Sequence, residues 1–308
     1  MKKKVIQDIS QVYKVTWIGL FLNLLLMATK LIVGYFSNSK ALIADGIHSL
    51  SDGITDIAIL LGGKYWSAPA DEEHPHGHGR LEILVTVFIG IALGIVGVLL
   101  VYRAIYQIIS KEIPDISSLP VILVALISLV SKELLYRYSV KVGTKIHSSA
   151  VVANAWHHRS DSLSSIPVVI TGVAVLIDPT YKILDPIATI LIGVFIIYSA
   201  LALAIPSLGY LIDKGISKEE VKEIERLAFS MDGVKDVHAI RSRHIGGGIS
   251  VDLHILVEPN LSVREGHAIA GRVKEKILAE KENIVDVLIH VEPYEANGKN
   301  DTSKSPEE

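Results

Sequence analysis

Six long apolar stretches fill the first two-thirds of the chain, at approximately Val12–Phe36, Ala41–Trp66, Leu81–Ile109, Leu119–Ser139, Ser148–Ile177 and Ile183–Leu208. Each is long enough to cross a hydrocarbon layer of about 30 Å as a helix. Backbone N–H and C=O groups in lipid must be satisfied within the protein, which restricts such stretches to helices or closed barrels, and their length selects helices. Composition agrees: 50% of the 308 residues are hydrophobic and the mean hydropathy is +0.42, too apolar for an ordinary soluble domain. Gly, Ser and Pro interrupt several of the stretches, as packed membrane helices tolerate.

Basic residues near the span ends set the orientation. Lys2, Lys3, Lys4 and Lys14 precede the first span, Arg80 follows the second, and Arg137, Lys141 and Lys145 follow the fourth. The other side offers little beyond Lys40, Lys111 and Lys182. Both termini are therefore expected in the cytoplasm, with the chain integral to the cell (inner) membrane. No short apolar core with a small-residue cleavage site follows Met1–Lys4, so no cleaved signal is expected. A net charge of -3 argues against a nucleic-acid partner, and the absence of cysteine removes disulfides, thiolate metal sites and thiol catalysis together.

Beyond Gly209 the pattern becomes that of a soluble domain. Ser217 reads as the N-cap of an amphipathic helix with Glu220 closing a capping box. Val237–Ile245 and Ile249–Val257 alternate as strands around Gly246-Gly247-Gly248, Ser262–Glu282 reads as a second helix, and Val285–Val291 as a third strand. The expected architecture is a six-helix membrane bundle over residues 1–208, a small α+β domain (α-β-β-α-β) over 209–294, and a disordered tail from 295 to 308.

Ionisable side chains inside apolar spans are costly, and mark function when they are paired. His48 and Asp52 lie one helical turn apart on the second span, and His157 and Asp161 repeat the spacing on the fifth. Two imidazoles and two carboxylates suffice for a four-ligand divalent site suited to Zn²⁺, and the lack of sulfur disfavours Cu(I). The competing reading is that each pair is a local helical hydrogen bond, or that the carboxylates sit at an interface. Asp45, one turn before His48, could support a ligand, and Asp56, one turn after Asp52, could face a vestibule. His158 points about 100° away from His157 and reads as packing or as a support to a ligand. Asn23 and Lys30 read as interhelical contacts or snorkelling groups.

Two further sets lie outside the spans. In the loop Asp71-Glu-Glu-His-Pro-His-Gly-His-Gly-Arg80, the residues Asp71, His74 and His78 can converge on a cation, with His76 as an auxiliary. In the soluble domain, His254 falls on the second strand, His290 and Glu292 share a face of the third, His238 starts the first, and His267 lies on the intervening helix. His244 is expected on the strand face of His238. Any single histidine there is more often decoration than ligand.

With Ala44-Asp-Gly-Ile-His48-Ser-Leu-Ser-Asp52, Gly77-His-Gly-Arg-Leu-Glu82, six spans and the α-β-β-α-β tail, the chain resembles the cation diffusion facilitator family over about Val12–Tyr294. The resemblance implies a homodimeric exporter of divalent cations driven by inward proton flow, not an enzyme. It implies a transport site of His48, Asp52, His157 and Asp161, a loop site of Asp71, His74 and His78, and a tail cluster of His238, His254, His267, His290 and Glu292 near a dimer interface. It also implies a charge interlock of Arg80 with Asp213. Two departures stand out: well-known bacterial zinc exporters carry Asp in place of His48, and Glu292 stands where Asp is common. The His-Asp pattern is closer to the zinc-preferring branch than to the manganese branch, with Cd²⁺, Fe²⁺, Co²⁺ and Ni²⁺ as alternatives. A membrane metalloenzyme would need an open coordination position and a general base, and no His-Glu-x-x-His motif is present. A membrane-anchored metal sensor would leave the buried ionisable pairs without a purpose.

Overall fold

A computed structural model describes residues 2–66, 68–145 and 149–295; the helical side chains of residues 2–13, 51, 52, 54–61, 63, 64, 149–151, 153, 154 and 157 lie outside the description. The chain is a membrane α-helical bundle followed by a small α+β domain. Helices α1 (Lys2–Phe36), α2 (Lys40–Trp66), α3 (Arg80–Ser110), α4 (Ser118–Lys145), α5 (Ser149–Ser162), α6 (Ser165–Ile177) and α7 (Leu184–Leu211) come first, with a 3₁₀ turn at Pro179–Ile183 before α7. Five segments among the described residues are long and apolar enough to cross a membrane: Lys14–Phe36, Arg80–Ser110, Ser118–Lys145, His158–Ile177 and Pro179–Leu211.

Small residues bring these helices close, since lipid offers no hydrophobic drive for association and packing must supply it. A Cβ on Gly97 of α3 would sit 2.8 Å from Ile197 Cγ1, and one on Gly193 of α7 would sit 2.7 Å from Val101 Cγ2. The apolar core of the bundle includes Leu42, Ala44, Val121, Ala125, Val168, Ala188 and Ile192.

The fifth apolar stretch is not one helix. It breaks at Leu163–Ser164, two residues after Asp161. The cause is local. Pro167 has no N–H to give the carbonyl of residue 163, and its ring would crowd that carbonyl in a continuous helix. Tighter turns replace the ladder, with Ser164 N donating to Asp161 O at 3.3 Å and Ile166 N to Leu163 O at 3.1 Å.

The soluble elements are α8 (Lys218–Phe229), β1 (Asp236–Ile245), β2 (Gly248–Val257), α9 (Val263–Glu280) and β3 (Ile284–Pro293). Capping boxes start both helices, Ser217 with Glu220 and Ser262 with Glu265. β2 is central, antiparallel to β1 and parallel to β3. One sheet face is closed by Val251, Leu253, Ile255 and Val287 packed with Ile224, Ala228, Ile269, Val273 and Ile277 of the helices.

A β-bulge in β1 between His238 and Arg241, with Ala239 at φ 52°, corrects one expectation. The extra residue inverts the alternation of side chains beyond it. His238 pairs with His254, while His244 pairs with Ile249, so His244 lies on the face opposite to His238.

Contacts divide the chain into two units, Met1–Leu61 with Phe88–Ala204, and Gly62–Val87 with Ile205 onward. The loop before α3 therefore belongs with the soluble elements. Its Gly79 lies backbone to backbone against the β1–β2 turn: a Cβ on Gly246, whose φ is +65°, would sit 2.8 Å from Gly79 O. Only glycine meets both demands. Arg80 and Asp213, the residues of the expected interlock, form an ion pair within the same unit.

Candidate metal centres

Within the membrane unit, His48 is 2% exposed and Asp161 is 4% exposed. The His48 ring meets Phe195 of α7 edge-on, with centroids 5.1 Å apart. Asp52 and His157, the other half of the expected set, have side chains outside the described residues, as does Asp56.

Around these residues lies a polar network that the sequence reading caught only in part. Lys30 of α1 pairs with Asp45 of α2 at 2.9 Å, both fully buried. Lys30 Nζ also donates to Ser49 Oγ and to Ser165 Oγ, each at 3.2 Å. Ser165 Oγ donates to Asp45 Oδ2 at 2.7 Å, and Ser164 Oγ lies 2.6 Å from Asp45 Oδ1 and 2.7 Å from the Asp161 carbonyl. Lys30 is thus an interhelical contact and does not snorkel. Asp45 reaches α1 and the α5–α6 break. His158 is buried, with Nδ1 3.5 Å from Asn23 Nδ2. Lys132 of α4 is fully buried as well. Asp185, at the start of α7, accepts from Ser39 Oγ and from the backbone N–H groups of Lys40 and Ala41, capping α2 from another helix. Ser164, Ser165, Lys132 and Asp185 were not singled out from sequence, although a charged or hydroxyl group in an apolar run is the signal that marks them.

In the second unit, Asp71, His74 and His78 each offer a ligand atom, all within 4.8 Å of one another. Asp71 Oδ1 lies 3.2 Å from His74 Nδ1, and Asp71 Oδ2 lies 3.4 Å from His78 Nε2. The His74 backbone N–H donates to Asp71 and holds its carboxyl below the usual range. His76 is exposed and lines, with His74 and His78, a cleft that also carries Arg243 and Asp286.

The sheet face left open by the helices carries the last set. Register places His238, His254 and His290 side by side across the three strands. Glu292 joins them: Oε2 lies 3.0 Å from His238 Nε2, and Oε1 lies 2.8 Å from His254 Nδ1 and 3.4 Å from His290 Nε2. Burial pushes the Glu292 carboxyl up, but hydrogen bonds from His238 and His254 outweigh it and hold the group below its ordinary value. Three imidazoles around one carboxylate form a nitrogen and oxygen donor set that suits Zn²⁺ and neighbouring divalent ions. His267 is exposed on α9 and does not join the group of His238, His254 and Glu292. His244 stacks on Tyr210, with centroids 4.0 Å apart.

Comparison with known proteins adds to this geometry. The family model described as the cation efflux transmembrane domain matches residues 16–212, and that of the cation efflux protein cytoplasmic domain matches residues 216–294. An uncharacterized transporter of Methanocaldococcus jannaschii, MJ0449, is 39% identical over 88% of this chain and 94% of its own length. The manganese efflux system protein MneP of Bacillus subtilis is 34% identical over 91% of this chain and 96% of its own length. The magnetosome protein MamB of Magnetospira sp. is 31% identical over 91% and 94%.

Proposed function

The chain belongs to the cation diffusion facilitator family, whose members are divalent metal transporters, and on that premise we propose that it exchanges cytoplasmic Zn²⁺ for external protons. The observation that carries the reading is the burial of His48 and Asp161 in membrane helices, on turns joined through Asp45, Ser164 and Ser165. Asp52 and His157 complete the ligand set in this proposal. Imidazole nitrogen favours Zn²⁺ over the harder Mn²⁺, which prefers oxygen.

Ligands must shed protons to bind metal, so protons arriving from outside displace the ion there. Imidazole titrates near neutral pH, which makes His48 and His157 the proton carriers. Rocking of the helices exposes the site to each side in turn. The protein acts as a homodimer in the inner membrane with both termini in the cytoplasm. Zn²⁺ at the loop site (Asp71, His74, His78) and at the tail cluster (His238, His254, His290, Glu292, with His267 as a further donor) would steady the dimer or report cytoplasmic metal.

A second reading is supported by the relative named as a manganese efflux system protein: Mn²⁺ is the cargo and the same site carries it. Flux into proteoliposomes under a pH gradient, with Zn²⁺, Cd²⁺, Fe²⁺ and Mn²⁺ compared, separates the two. Zn²⁺ is expected to move fastest and to suppress the others. Preferential Mn²⁺ flux would replace zinc with manganese, and no flux of any metal would revive the sensor.

A further inference from the structure

Asp45 sits three residues before His48, and Ser164 three residues after Asp161. The contacts between Asp45 and the two serines therefore join α2 to the α5–α6 break within one turn of a ligand on each side. Lys30 completes the joint. Its ammonium has three N–H groups and meets three oxygens, from Asp45, Ser49 and Ser165. Neither charge of the pair is exposed, so the contact is not loosened by solvent screening.

We propose that Lys30 and Asp45 are positioning residues that fix the separation of the α2 and α5 ligand turns, and thereby the size of ion the transport site accepts. This rests on the transport reading above. The pair itself binds no metal. A carboxylate at position 45 with a neutralising ammonium behind it can hold both serines at once, Ser164 on Oδ1 and Ser165 on Oδ2. Both hydroxyls meet Asp45 of α2 at the break that precedes Pro167. Lengthening the carboxylate arm by one methylene pushes the α5–α6 break away from α2 and widens the site. A wider site favours Cd²⁺ over the smaller Zn²⁺.

The test is the Asp161-dependent part of Zn²⁺ and Cd²⁺ binding and flux, measured on full-length wild type and Asp45→Glu. Each is referenced to the same protein carrying Asp161→Asn. Asp45→Glu is expected to raise the KM for Zn²⁺ and to shift the Cd²⁺:Zn²⁺ preference by about tenfold toward Cd²⁺, the scale of changes beside a metal ligand. Ser164→Ala together with Ser165→Ala strands no charge and serves if Asp45→Glu does not fold; the same direction of shift is expected. An unchanged preference in the variant that folds would overturn the proposal, as would a uniform loss of turnover with both KM values intact. Wild type that binds metal at Asp161 without moving it would sink the transport reading while the binding ratio still decides this one. Absence of Asp161-dependent binding would overturn both.

Discussion

Single side chains divide here into those whose role follows from type and spacing and those whose partner had to be seen. The i, i+4 pairs His48–Asp52 and His157–Asp161 are visible in the sequence because a carboxylate in an apolar run is costly and a matched repeat is hard to obtain by accident. The partner of Asp45 was not visible: helical spacing pointed to His48, one turn away, whereas the structure gives it Lys30, fifteen positions back on another helix. Sequence spacing reports neighbours on one helix and is silent on those across a helix pair. The pair also carries a prediction. Removing one partner by Asp45→Leu or Lys30→Met takes from the other buried charge its opposite charge at 2.9 Å and is expected to cost about 3–5 kcal/mol. The double variant, which leaves none, should unfold closer to wild type in a thermal scan of the detergent-solubilised protein. Additive losses would mean that the two charges are not coupled.

At the scale of elements, caps and alternation read well and interruptions did not. Ser217–Glu220 forms its capping box as expected, and the three strands fall within two residues of their expected limits. The break after Asp161 was missed although the run Arg159-Ser-Asp-Ser-Leu-Ser-Ser165 is polar and Pro167 follows it, because membrane helices often carry serine and proline and the apolar residues on either side read as one stretch. The bulge at Ala239 was missed because no glycine marks the positive φ. That single residue sends His244 to the helix-facing side, onto Tyr210, where burial holds its imidazole below the ordinary 6.5. A depressed pKa means that the unfolded state binds more protons, so His244 adds stability above pH 6.5 and loses it as pH falls through the lower folded value. His244→Phe is therefore expected to flatten the fall in Tm of the soluble elements between about pH 7.5 and 5.5. An equal slope in both proteins would show that His244 does not titrate there.

For the molecule as a whole, the outline of a membrane bundle with an α+β tail was legible because hydropathy and strand alternation act over tens of residues. The allegiance of the Asp71–Arg80 loop was not. It sits between two apolar stretches in sequence, yet Gly79 against Gly246 and Arg80 against Asp213 place it with the soluble elements. Loop and tail candidate sites thus share one unit, while His48 and Asp161 belong to the other. The central claim concerns the membrane unit: a divalent ion crosses at His48 and Asp161 in exchange for protons. The most direct measurement is Zn²⁺ uptake into proteoliposomes with a lumenal pH dye, comparing wild type with Asp161→Asn. The account predicts Zn²⁺ entry matched by proton exit in wild type and neither in the variant. Equal Zn²⁺ uptake by both proteins, or uptake with no proton movement, would contradict it.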